Sequence, residues 1–485
     1  MTSRGLSRTW IVAVVVFSWL PLSHLPGSEE RSAASDIESA RAAVLQLRAE
    51  RALLRESLGS PSEDVLGGTT GSVTVEAEYR FSSDGDRDLD TYLWLWAEVG
   101  DDSRDPITGS FSGRLNWDLN GLGRRGGVIP AEGSAFADYN AIENERLTER
   151  VYTGYIDFNR AGPFDKIRFG RQFHGGYAGG HFDGAAFFAS LWKETYLQVY
   201  GGVPVNYHEL TGEDPFATDR IYGGAVTYHW TTDLSLFLDV QGVRDHTELY
   251  GTHNDYLAVL GFSYDFQSCL RASVIENLIS GEQRDLSGSL VYWSSEHDFH
   301  ASAHYFWMPR KQDDLAYQLT PFADALGALE PYQLLRLEAV KGIGGHFEVG
   351  AGVTRRELID DSDESLSNNE YTQTRASFSV IELPIEDLDA TISFEHWNTT
   401  NDDEFSLGGD IRQRLGRRHV LEAGSYYAKF KYRQLTLVDT LNVQTYFVRW
   451  RWAFARDLSF HLKGEVEDAE DVTYNTLSAA VTLRF

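Results

Sequence analysis

The sequence predicts an all-β fold, a single antiparallel transmembrane β-barrel of about 22 strands, with roughly 20 to 24 as the range. Three observations predict it. From Gly71 onward, segments of about ten residues alternate apolar and polar positions. The connections between these segments are short and long by turns. A last alternating segment, LSAAVTLRF, carries the predicted barrel to Phe485.

The alternation is clearest in ITGSFSGRLNWDL, where Phe111, Leu115 and Trp117 share one face and Arg114 and Asp118 share the other. Successive side chains of a strand point to opposite faces of its sheet, so this spacing predicts one apolar and one polar face. SVTVEAEYRF and LSFHLKGEV repeat the pattern, and the polar faces carry charges on most strands. A membrane barrel requires this division, because one face meets lipid and the other meets the lumen.

The spacing of the connections separates a membrane barrel from soluble β-folds. Tight connections include DSRDP, RAGPFD, TTD, SEHD, LGRR and FARD. Longer ones fall between them, in residues 121–146, 205–218, 245–255, 309–330, 358–369, 398–404 and 467–473. Short turns at one end and long loops at the other are typical of an outer-membrane barrel. A propeller would instead show a repeat of about 40 residues, and the sequence shows none.

Two segments precede the predicted barrel, residues 1–34 and residues 35–70. The apolar run WIVAVVVFSWLPL follows Arg4 and Arg8, which predicts a cleaved signal peptide in 1–34. A signal anchor is the alternative, but the run is short and Pro21 and Pro26 interrupt it. Apolar residues at helical spacing predict a short helix in 35–70. This helix is either a solvated linker or a short coiled-coil stem in the periplasm.

The composition excludes several classes of function. The formal charge is −29, from 72 acidic and 43 basic residues, whereas nucleic acid requires a basic surface. The single cysteine, Cys269, excludes an internal disulfide framework, a multi-cysteine zinc site and CxxCH haem attachment. The mean hydropathy of −0.33 predicts no membrane-spanning helix in the body of the chain. We therefore expect no resident cofactor or metal and no nucleic-acid partner.

The last predicted strand places its odd positions, Leu477 to Phe485, on the face that meets lipid. Phe485 is then predicted to lie at the inner membrane interface, a level at which aromatic side chains are favoured. Five other aromatic residues at strand ends are predicted to face lipid: Trp117, Trp397, Tyr432, Trp450 and Trp452.

In a channel, the charges that face the lumen are the candidate functional residues. Parity assigns one basic set to the inner face, because Lys or Arg facing lipid at the bilayer midplane costs about 2–4 kcal/mol each. This basic wall consists of Arg412, Arg414, Lys429, Lys431, Arg433, Arg449, Arg451 and Lys463. Its acidic counterpart is Glu76, Glu78 and Asp118, near the other end of the chain. Either these charges govern passage, or they pair across strands and only solvate the lumen.

Several predicted loops are acidic, including SSDGDRDLD with Asp84, Asp86 and Asp88. Alternating oxygen ligands of this kind occur in calcium-binding loops, but the glycine and terminal glutamate of an EF-hand are missing in register. We expect these loops to be solvated at the outer surface. An interpretation between a specific calcium site and a solvated loop is that divalent cations bridge these loops to lipopolysaccharide phosphates.

FHASAH places His300, Ser302 and His304 on one face of a strand. Positions i and i+4 lie ~13 Å apart on a strand, too far to share one metal. Positions i and i+2 lie ~7 Å apart, beyond the ~3 Å that a nucleophile–base hydrogen bond requires. We therefore expect no enzymatic activity.

The terminal strand LSAAVTLRF, with the segments KIRFGRQ (166–172) and HFDGAAFF (181–188), resembles the Gram-negative outer-membrane porins, and the resemblance spans residues 71–485. It implies a channel in the outer membrane, for which a homotrimer is one assembly. It also implies that the barrel-assembly machinery recognises the last strand, through residues that include Leu483 and Phe485. The heavy acidic balance departs from the phosphate-selective members.

The function expected from these observations is passive diffusion of small hydrophilic solutes or ions across the outer membrane. Two alternatives stay open. One is a sheath that holds a partner in its lumen, such as an electron-transfer multihaem cytochrome. The other is an export channel for a charged polymer. A lumen bounded by about 22 strands is wide enough for each of them.

Overall fold

The computed structural model describes residues 68–83, 85, 87–119, 146–177, 179–192, 194–205, 219–247, 251–266, 269–310, 331–359, 370–382, 385, 387–399, 403–430, 441–469 and 472–485. The signal peptide predicted in 1–34 lies outside them, as does nearly all of the segment 35–70 in which a helix is predicted. In these ranges there is no helix of the length and apolar character needed to span a membrane.

The described residues contain 22 strands. The first eleven are β1 (Thr69–Ser82), β2 (Arg87–Val99), β3 (Ile107–Asp118), β4 (Leu147–Asn159), β5 (Lys166–Phe173), β6 (His181–Trp192), β7 (Thr195–Pro204), β8 (Arg220–His229), β9 (Leu234–Thr247), β10 (Gly251–Phe266) and β11 (Leu270–Ile279). The others are β12 (Glu282–Ser294), β13 (Phe299–Met308), β14 (Tyr332–Ile343), β15 (Phe347–Leu358), β16 (Tyr371–Ile381), β17 (Leu388–Thr399), β18 (Asp403–Leu415), β19 (His419–Phe430), β20 (Leu441–Ala453), β21 (Leu458–Ala469) and β22 (Thr473–Arg484).

The sheet closes on itself, because the first and last strands pair. Each strand is antiparallel to its sequence neighbours, and β1 pairs with β22 from Ser72 opposite Arg484 onward. Just beyond, the Gly71 amide donates to the Phe485 carbonyl at 2.8 Å, and the Phe485 amide donates back to Gly71 at 3.0 Å. Closure leaves no open sheet edge. The prediction of a barrel with about 22 antiparallel strands is confirmed.

The two faces of the sheet carry different side chains. Most of the large apolar side chains that remain exposed lie on one face, for example Val75, Leu238 and Ile392. The buried polar side chains of the strands, such as Gln172 and Gln373, lie on the other. Side chains converge inside a closed barrel, so the face with buried polar groups is the inner face. The outer face is therefore the apolar one, as the alternation predicts.

Aromatic side chains mark both ends of the outer face. On β8, Tyr222 lies near one end and Tyr228 near the other, and Gly224 and Val226 occupy the outward positions between them. On β10, Tyr256 and Phe266 stand in the same relation, separated by outward Ala258, Leu260, Phe262 and Tyr264. An apolar band between two aromatic rows is typical of barrels that cross a membrane.

The two barrel ends differ in the intervals that join their strands, since one has only short intervals and the other has the longest ones together with short ones such as 280–281. At the end that holds Gly71 and Phe485, called here the short-turn end, the strands are joined by brief intervals such as residues 160–165, 230–233 and 416–418. The longest intervals, residues 119–146, 205–219, 309–331 and 359–370, all join strands at the opposite end, called here the long-loop end. One predicted loop, residues 245–255, is wrong, because β9 continues to Thr247 and β10 begins at Gly251. The cross-strand pairing extends the hairpin through positions whose polar composition suggests a loop.

The turn between β2 and β3 is fixed to the neighbouring hairpin by Asp102. Its carboxylate accepts hydrogen bonds from Thr108 at 2.6 Å and from Lys166 at 2.9 Å. Partial burial opposes ionisation, but these two donors outweigh it and hold the pKa of Asp102 below its ordinary value. The short-turn end is therefore stabilised by side-chain contacts between successive hairpins.

The inner face is apolar on one side of the barrel. Buried apolar side chains from β6 to β11 form one cluster, consisting of Phe182, Ala186, Tyr200, Ile221, Val243, Leu257 and Ile279. All seven point inward by strand parity. The pattern of charged residues in the sequence does not predict this cluster. The charged inner face described below lies on the other strands.

Candidate functional site

Most of the predicted charged residues lie on two neighbouring rows of the inner face. The upper row crosses the strands β18 to β22 and continues across β1 to β3, because the barrel closes between β22 and β1. In pairing order its members are Arg412, Glu422, Arg449, Lys463, Ser478, Glu78, Asp90 and Asp118. The lower row lies one inward position nearer the short-turn end on each strand. It consists of Arg414, Val420, Arg451, His461, Ala480, Glu76, Tyr92 and Asn116. The basic and acidic sets are therefore neighbours rather than opposite walls.

The upper row climbs from one end of the barrel to the other. Arg412 lies near the short-turn end of β18, whereas Asp118 is the last residue of β3, at the long-loop end. A row perpendicular to the strands rises in this way because barrel strands are tilted by about 35–45°. The cations consequently occupy the short-turn half of the row, and Glu78, Asp90 and Asp118 occupy the long-loop half.

Carboxylates interrupt the basic half of the row. Glu422 stands between Arg412 and Arg449 in the pairing order and accepts a hydrogen bond from Arg449 at 2.8 Å. Lys463 contacts Glu465 at 3.0 Å. Glu422 and Glu465 share the inward parity of these cations, so the same parity rule applied to every charged residue would have found them. The wall is mixed in charge.

Other members of the predicted basic set are placed differently. Arg414 lies on the lower row and faces Asp387 at 3.6 Å. Position 429 pairs with Phe405, whose side chain is outward, so the backbone register does not support the predicted inward position of Lys429. The side chain of Lys429 lies outside the described part of the structure. The physical reason is that inward Asp410 and Gly408 pair with Gly424 and Tyr426, which gives the even positions of β19 to the lumen. Lys431 and Arg433 lie outside the described residues.

The predicted lipid-facing aromatics need one correction. Trp117, Trp450 and Trp452 lie on the outward face, and the ring of His419 stacks on both Trp450 and Trp452. Trp397 instead faces the lumen, because it pairs with inward Gln373 and its ring packs against that of Tyr371 at 4.9 Å. Tyr432 lies outside the described residues.

An arginine forms ion pairs with carboxylates at the acidic end of the upper row. The guanidinium of Arg80 contacts Asp88 and, at 3.0 Å, Asp90, and the Tyr92 hydroxyl also donates to Asp90 at 3.1 Å. Carboxylate oxygens of Asp88, Asp90 and Asp118 lie within 4.8 Å of one another, a grouping that hard cations accept. Asp84 and Asp86, of the predicted calcium pattern, lie outside the described residues. Asp88 thus belongs to a carboxylate group assembled from β2 and β3.

Residues 174–177, which follow β5, fold against the inner face. His174 lies there, fully buried, and its Nε2 is 2.7 Å from Oδ2 of Asp239 on β9. The ring of Tyr177 stacks on Phe237 with centroids 3.6 Å apart. Gly176 is required for this approach, since a Cβ there would lie 2.1 Å from the Asp239 carboxylate. The segment borders a cavity of about 180 Å³, lined in part by Gln198 and Phe188.

Strand β13 carries the serine and the two histidines of the segment FHASAH. His300, Ser302 and His304 share the inner face of β13, and Ser302 pairs with Glu338 of β14. Within the described ranges, the Ser302 hydroxyl makes no side-chain hydrogen bond. The arrangement provides polar groups at the lumen and no base positioned to activate a serine.

No protein-family model matches the chain, and no curated protein matches its sequence. Several solved structures are similar to it. They include OpdK of Pseudomonas aeruginosa with vanillate, at 11% identity and TM-score 0.43, with 86% of this chain and 99% of that chain covered. A BenF-like porin of Pseudomonas fluorescens has 11% identity and TM-score 0.42, with 86% and 98% covered. The translocation pore of the P pilus usher PapC has 8% identity and TM-score 0.46, with 86% and 99% covered. These likenesses concern the fold.

Proposed function

We propose that the chain is an outer-membrane channel for passive diffusion of small hydrophilic solutes and ions. The observation that carries the proposal is the division of a closed 22-stranded sheet into an outer face with an apolar band and an inner face with rows of charges. A closed barrel satisfies every backbone group within the sheet, which a membrane requires. The charged rows give water and ions a favourable surface inside it.

The aromatic rows and the position of Phe485 support the membrane location. Tyr222 and Tyr256 at one end, with Tyr228 and Phe266 at the other, would lie at the two interfaces. The paired hydrogen bonds between Gly71 and Phe485 place the last residue at the closing seam. A terminal strand in that position can be delivered to the barrel-assembly machinery before closure. Export by a cleaved signal peptide and assembly into a homotrimer belong to the same proposal.

Reconstitution tests the channel directly. Purified barrel in planar lipid bilayers is expected to give stepwise conductance in potassium chloride, and liposomes that contain it are expected to swell in small neutral sugars but not in large ones. Heat-unfolded protein is the control. A folded barrel that is inserted but never conducts contradicts diffusion and favours the sheath, whose lumen is filled by a partner. Passage of an anionic polysaccharide but of no small sugar favours the export channel.

A further inference from the structure

Most inward cations of the described strands have a carboxylate partner. Arg449 is hydrogen-bonded to Glu422, and Arg375 to Glu395 at 2.6 Å, whereas Lys463 forms an ion pair with Glu465 at 3.0 Å. Arg168 makes a bidentate pair with Asp157, at 2.7 and 2.8 Å. Pairing of this kind neutralises the inner face locally and leaves little attraction for a passing anion.

Arg451 is different. It lies on the lower row, inward and exposed, and the described residues give its guanidinium no ion pair and no hydrogen bond. Its pairing partners across the strands are Val420 and His461, neither of which is acidic. Five donor hydrogens of a charged group therefore face the lumen without an acceptor among the residues that the structure describes.

Two other cations surround this position. Arg412 and Arg484 both repel the charge of Arg451, and Arg451 and Arg484 both disfavour a positive charge on His461. Neither Arg412 nor Arg484 forms an ion pair within the described ranges. Repulsion between neighbouring cations on a wall is relieved when an anion binds between them.

The carboxylates near Arg451 either bind another arginine or lie closer to Arg412 or Arg484 than to Arg451. Glu422 attracts Arg451 but is bonded to Arg449. Asp410 and Asp389 lie on the Arg412 side, since Asp389 pairs directly with Arg412. Asp457 attracts Arg484 from the adjacent turn. None of these acids is within ion-pair distance of Arg451.

Small side chains leave space over this part of the wall. His461 pairs with Ala480, and the next inward position of β22, Thr482, is hydrogen-bonded to Thr74 at 2.9 Å between hydroxyl oxygens. The surface between Arg451 and Arg484 is thus formed by short side chains, is partly polar, and has cationic side chains around it.

We propose that Arg451, Arg484 and His461, with Arg412 at the edge, form a binding site for the oxyanion group of a small solute, a carboxylate or a phosphate, at the short-turn end of the lumen. The site rests on the proposed function, because a solute reaches it only through an open lumen. It lies at the opposite end of the charged rows from the carboxylates Asp88, Asp90 and Asp118. An anion that enters the barrel therefore meets its strongest attraction near the short-turn exit.

The test uses the full barrel in planar bilayers at low salt, with inorganic phosphate or succinate added at the short-turn side. Both probes are expected to reduce or interrupt the current in a saturable way. Arg451→Gln is expected to weaken the apparent affinity about tenfold, the cost of one charge-assisted hydrogen bond. The Arg451→Gln/Arg484→Gln double variant is expected to abolish the block. Block by phosphate alone assigns a phosphate group, and block by both assigns oxyanions in general.

Arg271→Gln is the matched control. Arg271 also faces inward near the short-turn end, but its guanidinium is bonded to Asp265 at 2.6 and 3.1 Å. Its replacement is expected to leave the block unchanged. The site is overturned if neither probe affects the wild-type current, or if folded Arg451→Gln binds them as the wild type does. Calorimetry on the solubilised barrel separates the two proposals, since phosphate binding that Arg451→Gln weakens in a barrel that never conducts supports the site and contradicts only the channel.

Discussion

Arg171 and Asp183 form a bidentate ion pair across β5 and β6, with Nε to Oδ1 at 2.8 Å and Nη2 to Oδ2 at 2.7 Å. The pair lies on the outward face, where Phe169 and Phe173 flank Arg171 along β5. Nη1 of Arg171 also donates to the carbonyl of Val151, at 3.1 Å. The GRQ and FDG segments that carry the resemblance to porins are therefore the two halves of one cross-strand contact. Their spacing in the sequence is the length of the hairpin between them.

Breaking the Arg171–Asp183 pair from one side is expected to destabilise the barrel. Asp183→Asn removes the carboxylate charge that pairs with Arg171 on the apolar face, at a cost of about 2–4 kcal/mol. The double variant Arg171→Met/Asp183→Leu removes both charges and is expected to destabilise the barrel less than Asp183→Asn does. Denaturant unfolding followed by tryptophan fluorescence measures the difference. Equal stability of Asp183→Asn and wild type would show that the pair is dispensable.

The charge order along the upper row predicts a rectifying channel. Cations near the short-turn end and carboxylates near the long-loop end make ion flow easier in one direction at low salt. At about 1 M salt the Debye length falls to roughly 3 Å, and the asymmetry is expected to disappear. Current–voltage curves in symmetric solutions measure it. A linear curve at low salt from a folded, conducting barrel contradicts the prediction.

Removal of Arg449 is expected to shift selectivity towards cations. Arg449→Gln loses one inward charge and releases the Glu422 carboxylate, so two effects act in the same direction. Reversal potentials across a salt gradient measure the shift, which should shrink as salt rises. Lys429→Gln is the control, because position 429 is outward in the register, and it is expected to leave the reversal potential unchanged. The assignment of faces on β19 is wrong if Lys429→Gln shifts it as much as Arg449→Gln.

The His174–Asp239 contact is expected to limit conductance. Asp239→Asn/His174→Phe removes the contact that holds residues 174–177 against the inner face, and Tyr177→Ala removes the stacking on Phe237. Each is expected to raise the single-channel conductance or to increase the noise of the open-channel current, because the released segment no longer keeps one position. Tyr305→Ala is a suitable control, since Tyr305 lies outward on β13. Identical conductance levels and noise in all four proteins would show that the segment lies clear of the ion path.

Phe485 is expected to be necessary for assembly. Its backbone closes the sheet with Gly71, and its ring lies over Gly71, where an added Cβ would come within 2.8 Å. Phe485→Glu and Gly71→Val are each expected to reduce the amount of heat-modifiable barrel in the outer membrane, with export intact. Phe454→Glu, a change of an exposed aromatic outside the last strand, is the control. Normal amounts of folded Phe485→Glu barrel would contradict the prediction.

The sequence determines much of this fold, because side-chain parity in a strand is a local property. Alternation of single residues, together with the short and long connections, predicted the strand number, and the alternation placed Arg449, Arg451 and Lys463 on the inner face. At position 429 a charge was assumed to face inward, whereas the pairing of β18 with β19 gives that backbone position the opposite parity. The same assumption about aromatic residues failed at Trp397.

Tertiary structure alone decided which charges meet. Glu78 and Lys463 are far apart in the sequence, and only the pairing of β22 with β1 puts them on one row, on either side of Ser478. Strand tilt then turns that row into a path from one end of the lumen to the other. Parity says which face a residue occupies, but register and closure decide its neighbours across strands. For that reason the inward position of Arg451 could be predicted from the sequence, whereas its lack of a carboxylate partner could not.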